Sequence, residues 1–433
     1  MLFTLEPLPA AEGDCLLLHW GTLDSPKIAV IDGGPGQIYE DHLRPRLDEI
    51  VANLEMDYLP LELVMISHMD SDHIIGIKKL LRSLKFEIEN HVPPTDRTVR
   101  IKRLWHNVFN DILGDSIDKY YKTLTASLQA SIGGSPNPVI IEKLEDAFKE
   151  RQGESAEESR EDAWDLALVL AGHGEGRDVR IDHKYLFQKG EVAALNSPFK
   201  DAQGRPTLIT AEKTPTPEKI AGLKLKIIGP LQAEIEALQK EFDDYIKTKN
   251  LTAEAVLAAY ADRSVKNLSS IVCLAEFGGK SILLTGDARG DKILTGLEKV
   301  GLLAADGTLS VDILKIPHHG SDRNVKPDFF EKVIAETYVF SGDGKNGNPD
   351  RDTLQWLADA RGKNAKFHMV LTYDVAHIDH NRKLDFQKKG KAWIKTQNSL
   401  ATFFQKASDD GFQFTYGAGA PVTIDLGDET VAW

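Results

Sequence analysis

The sequence predicts an α/β (α+β) protein in which two β-sheets lie face to face. Short apolar runs that end in Gly, Pro or Asp recur along the chain and are typical of β-strands. Apolar residues at helical spacing separate several of these runs. A long stretch of helical and polar character at 108–200 divides the strands into an early and a late set. This division favours two sheets with a mainly helical insertion between them.

The early set opens with three strands, and helices and strands then alternate. Gly13-Asp14 forms a turn between the first two strands, and the third ends in Asp32-Gly33-Gly34. Residues 40–55 carry large apolar side chains three and four positions apart, which indicates a helix. The predicted elements are strands at 3–8, 15–20 and 27–34, the helix at 40–55, a strand at 61–66, a helix at 74–84 and a strand at 100–105.

The late set is richer in strands. Gly278-Gly279 lies between two apolar runs and is a strong hairpin signal. Pro230 follows a strand and predicts the start of a long helix. The predicted strands lie at 223–230, 269–277, 280–287, 311–320, 337–344 and 367–373, with an edge strand at 411–417.

Composition excludes several classes of protein. The chain of 433 residues is 42% hydrophobic and 27% charged, as ordinary globular proteins are. The net charge of −14 argues against a general nucleic-acid binder, since such proteins carry a positive surface. The two cysteines, Cys15 and Cys273, favour a reducing compartment. No signal peptide and no long apolar segment are visible, so we expect a cytoplasmic protein with no membrane contact.

A polyanionic substrate would therefore need local positive charge. Two basic stretches could supply it, and solvated surface is the alternative interpretation of each. They are Arg97, Arg100, Lys102 and Arg103 before Trp105, and Arg382, Lys383, Lys388, Lys389, Lys391 and Lys395.

A cluster of metal-capable side chains follows the strand at 61–66. His68, Asp70, Asp72 and His73 lie within six residues, and a buried strand that stops at Ser67 delivers them to the edge of a sheet. Imidazole and carboxylate are the ligands that hold Zn²⁺, Mn²⁺ or Fe²⁺. The alternative is a solvated polar loop.

Two later strands also end in such side chains. Asp287 stands just beyond an apolar run, after a glycine that permits a tight turn. His318 and His319 end another strand, beside Gly320 and Ser321. A lone buried histidine is usually structural, but paired histidines at a strand end favour function. Three strand ends thus point to one pole of the molecule.

Three segments, in this order, resemble the metallo-β-lactamase fold superfamily of hydrolases. They are HMDSDH at 68–73, LLTGDA at 283–288 and LKIPHHGS at 314–321. They look most like the branch that includes the soluble hydrolase domain of the bacterial DNA-uptake competence channel. The resemblance implies an αββα sandwich of two mixed β-sheets flanked by helices, formed by residues 1–107 and 201–433. Residues 108–200 would form a lid or a docking element for a protein partner.

The resemblance also implies a site with two divalent metal ions, Zn or Mn. His68 and Asp70 would serve one ion, Asp72 and His73 the other, and Asp287 would bridge both. Such cations lower the pKa of a shared water and neutralise charge on a phosphoryl or carbonyl oxygen. Asp72 would also orient the attacking water. His318 or His319 would protonate the leaving oxygen, hold a phosphate oxygen or complete the metal shell, and Ser321 would contact phosphate.

The chain departs from the superfamily pattern at three ligand positions. Asp70 stands where most members have histidine, and an oxygen donor moves the preference from Zn²⁺ toward Mn²⁺. The usual histidine between the first cluster and Asp287 is missing, unless His173 or His183 supplies it. Asn348 stands where the branch tends to have histidine, and its amide oxygen is a poorer ligand.

The function that these patterns favour is a cytoplasmic metal-dependent phosphodiesterase or nuclease acting on a nucleic acid or nucleotide. The acidic composition favours a small phosphoester over a long nucleic acid. One alternative is a hydrolase of a lactone, thioester or amide, since the same chemistry attacks a carbonyl. Another is a fold that has lost its metals and serves as an interaction module, as the missing histidines would suggest.

Overall fold

The computed structural model describes residues 1–68, 70–107, 186, 188–200, 207–236, 240, 270–431 and 433, apart from the side chain of Ser71. The strands in chain order are β1 (Leu2–Pro7), β2 (Leu16–Thr22), β3 (Ser25–Ile31), β4 (Leu59–Ile66), β5 (Val99–His106), β6 (Val192–Leu195), β7 (Glu218–Ile220), β8 (Leu223–Gly229), β9 (Val272–Phe277), β10 (Lys280–Leu284), β11 (Leu309–Lys315), β12 (Val333–Phe340), β13 (His368–Leu371), β14 (Thr415–Ala418) and β15 (Ile424–Asp425).

Helices flank these strands. A single π-helical turn at Tyr39–Leu43 leads into the first of them. The helices are α1 (Arg44–Asn53), α2 (Ser71–Glu89), α3 (Gly290–Lys299), α4 (Pro327–Lys332), α5 (Arg351–Arg361), α6 (Val375–Lys388), α7 (Lys395–Asn398) and α8 (Leu400–Asp409).

The strands form two mixed sheets. The first has seven strands in the order β15-β1-β2-β3-β4-β5-β6, and the second has eight in the order β14-β13-β12-β11-β10-β9-β8-β7. Strands β3 to β6 are parallel to one another, as are β10 to β14, whereas the remaining neighbours are antiparallel. The chain folds as an αββα sandwich. The predicted fold class is therefore confirmed.

Successive side chains of a strand point to opposite faces of its sheet. One face packs against the other sheet, and the opposite face packs against helices. In β2, Leu16, Leu18 and Trp20 pack between the sheets, while Leu17 packs toward the helices. In the second sheet, Ile313 faces the first sheet and Leu314 faces the helices. This is the period of two expected for a strand that is covered on both faces. The sandwich is thus fixed by burial on both sides of each sheet.

Several predicted elements are confirmed with adjusted ends. Gly278-Gly279 joins β9 and β10 as a hairpin, with Phe277 paired to Lys280. Helix α2 begins at Ser71 and runs to Glu89, beyond the predicted range of 74–84. The predicted edge strand is β14, which lies at the end of the second sheet.

Residues 192–195 correct the predicted end of the insertion. They form β6, which pairs in parallel with β5 and belongs to the first sheet. The sequence did not reveal this strand because it is a short edge strand with only Val192 fully buried. Most of the predicted insertion, residues 108–185, lies outside the described residues. His173 and His183, two candidate ligands, are in this range. Of the helix predicted to start at Pro230, residues 232–236 are helical. Most of its remaining length lies outside the described residues.

No helix among the described residues is both long and apolar enough to cross a membrane. Cys15 and Cys273 are buried and unpaired.

Close backbone contact fixes α2 against the first sheet. The amide of Gly33, just after β3, donates to the carbonyl oxygen of His73 at 2.7 Å, and the amide of Gly76 donates to Gly34 at 3.1 Å. A Cβ atom on Gly76 would lie 1.9 Å from the carbonyl oxygen of Gly33. Only glycine permits this approach, so the first two turns of α2 are held in register with the end of β3.

We predict that Gly76→Ala destabilises the protein by about 1–3 kcal/mol, because the added methyl group must push two backbone segments apart. Helix propensity alone would predict that this substitution raises the free energy of unfolding by up to about 1 kcal/mol. Urea denaturation measures the difference. Gly36→Ala is the matched control, because a Cβ atom there would meet nothing within 4 Å. Equal stability of the two variants would contradict the close contact.

Candidate metal centre

The candidate site lies at the sheet edge where parallel strands of both sheets end. Asp32 follows β3 and His68 follows β4 in the first sheet. Asp287 follows β10, His319 follows β11 and Ser341 follows β12 in the second sheet. Since carboxyl ends of parallel strands meet at one edge, residues that are far apart in sequence converge there. The three predicted strand ends do point to one pole.

His73 is oriented by a buried carboxylate. Its Nδ1 lies 2.9 Å from Oδ2 of Asp32, and that carboxylate also accepts hydrogen bonds from the amide of Ser67 at 2.7 Å and from its hydroxyl. An ionised carboxylate can only accept, so Nδ1 of His73 carries the hydrogen. In the neutral ring, Nε2 then presents a lone pair. Such carboxylate–histidine pairs are typical of metal ligands.

His319 is oriented in the same sense through a hydroxyl group. Its Nδ1 lies 3.1 Å from Oγ of Ser341, and that hydroxyl donates its only hydrogen to Oδ1 of Asp14. The oxygen of Ser341 can therefore only accept from the ring, so Nδ1 of His319 also carries the hydrogen. Its Nε2 is again the atom with the lone pair.

Both Nε2 atoms point at one carboxylate oxygen. Oδ1 of Asp287 lies 3.1 Å from Nε2 of His73 and 3.3 Å from Nε2 of His319. All three atoms are buried, and none of them has a hydrogen-bond partner of good geometry among the described residues. Buried polar atoms are normally satisfied, and with both rings neutral the three facing lone pairs would repel one another. A divalent cation between them would satisfy all three, so the residues fit a metal ion.

The electrostatics of the site favour added positive charge. Although burial disfavours the imidazolium form, the Asp287 and Asp32 carboxylates raise the pKa of His73 well above its ordinary value. Burial opposes protonation of His319 too, but Asp287 and Asp14 raise its pKa to about 9. Burial also disfavours ionised Asp287, yet the His73 and His318 rings hold its pKa well below the usual range. Proton and metal ion would compete for this place.

Asp14 is a site residue that the sequence did not reveal. Ligand atoms of Asp14, His73, Asp287 and His319 all lie within 4.8 Å of one another. The oxygens of Asp14, however, lie 3.9 Å from Nδ1 of His73 and 3.4 Å from Nδ1 of His319, on the protonated side of each ring. They also accept from Lys315 and Ser341. Asp14 therefore lies behind the rings, in a position to support ligands.

The predicted cluster after β4 surrounds the same point. The ring of His68 lies 5.2 Å from that of His73, and its Nε2 lies 3.4 Å from Oδ2 of Asp70. Burial, followed by the charge of His73, lowers the pKa of His68. Asp70 is the residue before α2, and its side chain makes no capping hydrogen bond. Asp72 is more open, with its side chain 23% exposed and its Oδ2 3.8 Å from Nε2 of His319.

His318 and His319 differ in exposure and share a strained backbone. Both have left-handed conformations, with φ of 47° and 54°. Such a conformation costs about 1–2 kcal/mol for a residue other than glycine, and it is commonest at functional sites. The His319 side chain is 2% exposed, whereas that of His318 is 26% exposed and lies 3.7 Å from Oδ2 of Asp287. Burial lowers the pKa of His318. His318 is the histidine that a substrate could reach.

Asn348 and Ser321 lie beside the site, and within the described part of the chain their side chains form no hydrogen bond with its ligands. A Cβ atom on Gly342 would lie 3.3 Å from the carbonyl oxygen of Asn348 and 3.4 Å from Cβ of His319. The Ser321 hydroxyl accepts from the amide of Arg323 at 3.4 Å. Their predicted roles in metal and phosphate binding stay predictions.

Comparisons with known proteins give partial matches. No protein-family model matches the chain. It is 32% identical over 120 residues to ComE operon protein 3 of Bacillus subtilis (strain 168), which covers 26% of this chain and 14% of that protein. It is 32% identical over 112 residues to microtubule-associated protein 1A of Rattus norvegicus, which covers 25% of this chain and 4% of that protein. The chain thus spans a small part of the length of either relative.

A structural match covers nearly the whole chain. The metallo-beta-lactamase fold protein YhfI from Bacillus subtilis aligns with 98% of this chain and 100% of its own, at 8% identity and a TM-score of 0.34. So low a score carries no argument about the site. The two mixed sheets flanked by helices are the architecture that the sequence resemblance implied. The three segments that carry the resemblance all lie at the candidate metal centre.

Proposed function

We propose that the protein is a metal-dependent hydrolase that cleaves phosphoesters, as a phosphodiesterase or nuclease. The observation that carries the proposal is the convergence of two Nε2 atoms on Oδ1 of Asp287 with no hydrogen bond between them. A divalent cation would satisfy these three buried atoms together, in place of the protons that the raised pKa values of the two rings favour. The buried, unpaired cysteines are compatible with the cytoplasmic location that we propose.

We assign the ligands of two divalent ions, Zn or Mn, as follows. Asp287 would serve both ions, and His319 would join the set because its Nε2 faces the same oxygen as that of His73. Bound ions would supply Lewis acidity and lower the pKa of a water molecule. The remaining ligands are His68 and Asp70 for one ion, and Asp72 and His73 for the other.

Two partly exposed side chains would act on the substrate. Asp72 has its carboxylate at the opening of the site, where it can orient the attacking water. His318 is half-buried beside Asp287, and a neutral imidazole there can donate an N–H to a phosphoryl oxygen. His319 is excluded from this role because both of its ring nitrogens face other site groups.

The basic stretch before Trp105 is partly neutralised within the fold. Arg97 pairs with Glu191, and Lys102 donates to Glu62 at 2.6 Å. Arg103 lies 3.9 Å from the same glutamate, and Arg100 stacks on the ring of Tyr58 at 4.2 Å. Two glutamates thus offset part of the positive charge of this stretch.

The second basic stretch is different. Lys383, Lys388, Lys391 and Lys395, which we call the lysine face, are exposed and form no ion pair with any described residue. Aromatic rings lie among them, since Lys391 lies 6.0 Å from the ring of Phe386 and Trp393 is half-buried. Basic residues interleaved with aromatic rings are typical of surfaces that bind single-stranded nucleic acid.

The lysine face adjoins the candidate metal centre through one loop. Arg382 of α6 is buried, donates to the carbonyl oxygen of Gly347 at 2.9 Å and has its guanidinium 5.7 Å from the ring of Trp393. The loop that contains Gly347 begins at Gly342, next to His319. A strand of nucleic acid lying on the lysine face could therefore extend to the metal centre, and this favours a nucleic acid over a small phosphoester.

We expect His68→Ala and Asp287→Ala each to abolish turnover in a folded protein, because each removes a metal ligand. The purified protein is assayed on bis-p-nitrophenyl phosphate and on a panel of lactones, with Mn²⁺ and Zn²⁺ in turn. Circular dichroism checks folding. Full activity of either variant contradicts the site, whereas turnover of lactones alone would replace phosphoester hydrolysis by carbonyl hydrolysis.

We predict that His318→Ala lowers kcat about 10²- to 10³-fold, the usual loss for one donor to a transition-state oxygen. His318→Asn should retain more activity, because asparagine tolerates the left-handed backbone and keeps an N–H donor. Steady-state kinetics on bis-p-nitrophenyl phosphate and on a dinucleotide measure both. The dinucleotide has the poorer leaving group of the two substrates. A much larger loss of kcat on the dinucleotide would instead indicate that His318 is a proton donor.

Neutralising the lysine face should weaken the binding of long substrates only. For the triple variant Lys388→Gln, Lys391→Gln and Lys395→Gln, we expect KM for an oligonucleotide to rise about tenfold, with a smaller dependence on salt. Hydrolysis of bis-p-nitrophenyl phosphate should not change. The matched control neutralises Arg100, Lys102 and Arg103. An equal effect of both variants would argue for a general charge effect rather than a binding face.

A further inference from the structure

A buried lysine lies behind the candidate metal centre and has no part in the function proposed above. Lys315 ends β11, and its side chain is 1% exposed. Its ammonium group contacts Oδ2 of the equally buried Asp14 and lies 3.4 Å from the carbonyl oxygen of Gly286. Taking an ion pair out of water costs several kcal/mol per ion before pairing is counted. A cation next to a metal site also repels the metal, so its presence needs an explanation.

A series of hydrogen bonds connects this lysine to His319. Lys315 donates to Oδ2 of Asp14, and Ser341 donates its hydroxyl hydrogen to Oδ1 of the same carboxylate. Nδ1 of His319 in turn donates to Oγ of Ser341, at 3.1 Å. Because an ammonium group can only donate and a carboxylate can only accept, every hydrogen in this series has a defined place.

The two metal-facing histidines are therefore supported unequally. His73 donates directly to Asp32, a carboxylate that no lysine or arginine among the described residues contacts. His319 donates to the neutral hydroxyl of Ser341, and the carboxylate of Asp14, 3.4 Å from the same nitrogen, is paired with Lys315. Direct donation to a carboxylate makes an imidazole a stronger ligand. The geometry thus makes His319 the weaker donor of the pair.

We propose that Lys315, Asp14 and Ser341 are positioning residues that hold His319 with Nδ1 protonated and Nε2 directed at the metal. The proposal rests on the metal centre proposed above. Lys315 fixes Asp14 between the two sheets, Asp14 fixes the hydroxyl hydrogen of Ser341, and Ser341 fixes the ring. Without the hydroxyl, the ring of His319 could turn or carry its hydrogen on Nε2, and either change would block coordination.

The first test is the binding of Zn²⁺ to Ser341→Ala, measured by competition with a chromophoric chelator. We expect affinity to fall about 10- to 100-fold, as for other residues that support a metal ligand. Ser341→Thr, which keeps the hydroxyl, should recover most of the affinity. The matched control is Thr353→Val, which removes a buried hydroxyl that has no hydrogen-bond partner among the described residues and should bind Zn²⁺ as the wild type does.

A spectroscopic measurement separates positioning from a general loosening of the fold. Long-range ¹H–¹⁵N spectra of the Zn²⁺-loaded protein, with labelled histidine, report which nitrogen of each ring carries hydrogen. We expect Ser341→Ala to shift the Nδ1 resonance of His319 and to leave that of His73 in place. An unchanged His319 resonance, with Zn²⁺ affinity within twofold of the wild type, would overturn the proposal.

The pairing of Lys315 with Asp14 can be tested in the metal-free protein. Asp14→Asn and Lys315→Met should each lower the melting temperature, since each leaves a buried charge without its partner. The double variant should melt above at least one of the single variants. Additive losses would overturn the pairing even if Zn²⁺ binds normally. Failure of the wild type to bind any metal would overturn the proposed function, and this cycle would still decide whether the pair exists.

Discussion

The structure depends on a group of buried carboxylate and imidazole atoms that face one another where the two sheets meet. Asp287 sits between His73 and His319, and neither ring is free to turn, because each Nδ1 is held from behind. The positive charge that this arrangement requires comes from outside the set of ligands. Strand ends, close glycine contacts and the Lys315 pair all keep these atoms in place, while no other described residue gives them a hydrogen-bond partner.

The local sequence is sufficient to predict most of the strands, though not the short β6, β7 and β15, and most of the candidate ligands. Strand ends such as those before His68 and Asp287 have a pattern within a few residues, namely an apolar run, a turn residue and a polar side chain. Asp14 and Ser341 have no such pattern. Asp14 was interpreted as part of a turn, and Ser341 follows a strand as many surface serines do. Their roles arise from contacts across the two sheets, which one sequence does not encode locally.

Charge illustrates the same limit. The two basic stretches are equivalent in sequence, but Arg97 and Lys102 find glutamates 94 and 40 residues away, whereas the lysine face finds none among the described residues. Composition likewise pointed to a small substrate, because the overall charge is negative. The exposed lysine face is the reason that we propose a nucleic acid instead. The formal net charge predicts the average electrostatic potential of the protein surface. It does not predict the potential at one place on that surface.

The position of the metal centre between the two sheets has a mechanical consequence. Asp32 and His73 come from the first sheet and its helix, whereas Asp287 and His319 come from the second. Any ion held there acts as a non-covalent cross-link between chain segments separated by the whole central region. An ion bound there would therefore tie the two sheets together independently of the chain that joins them.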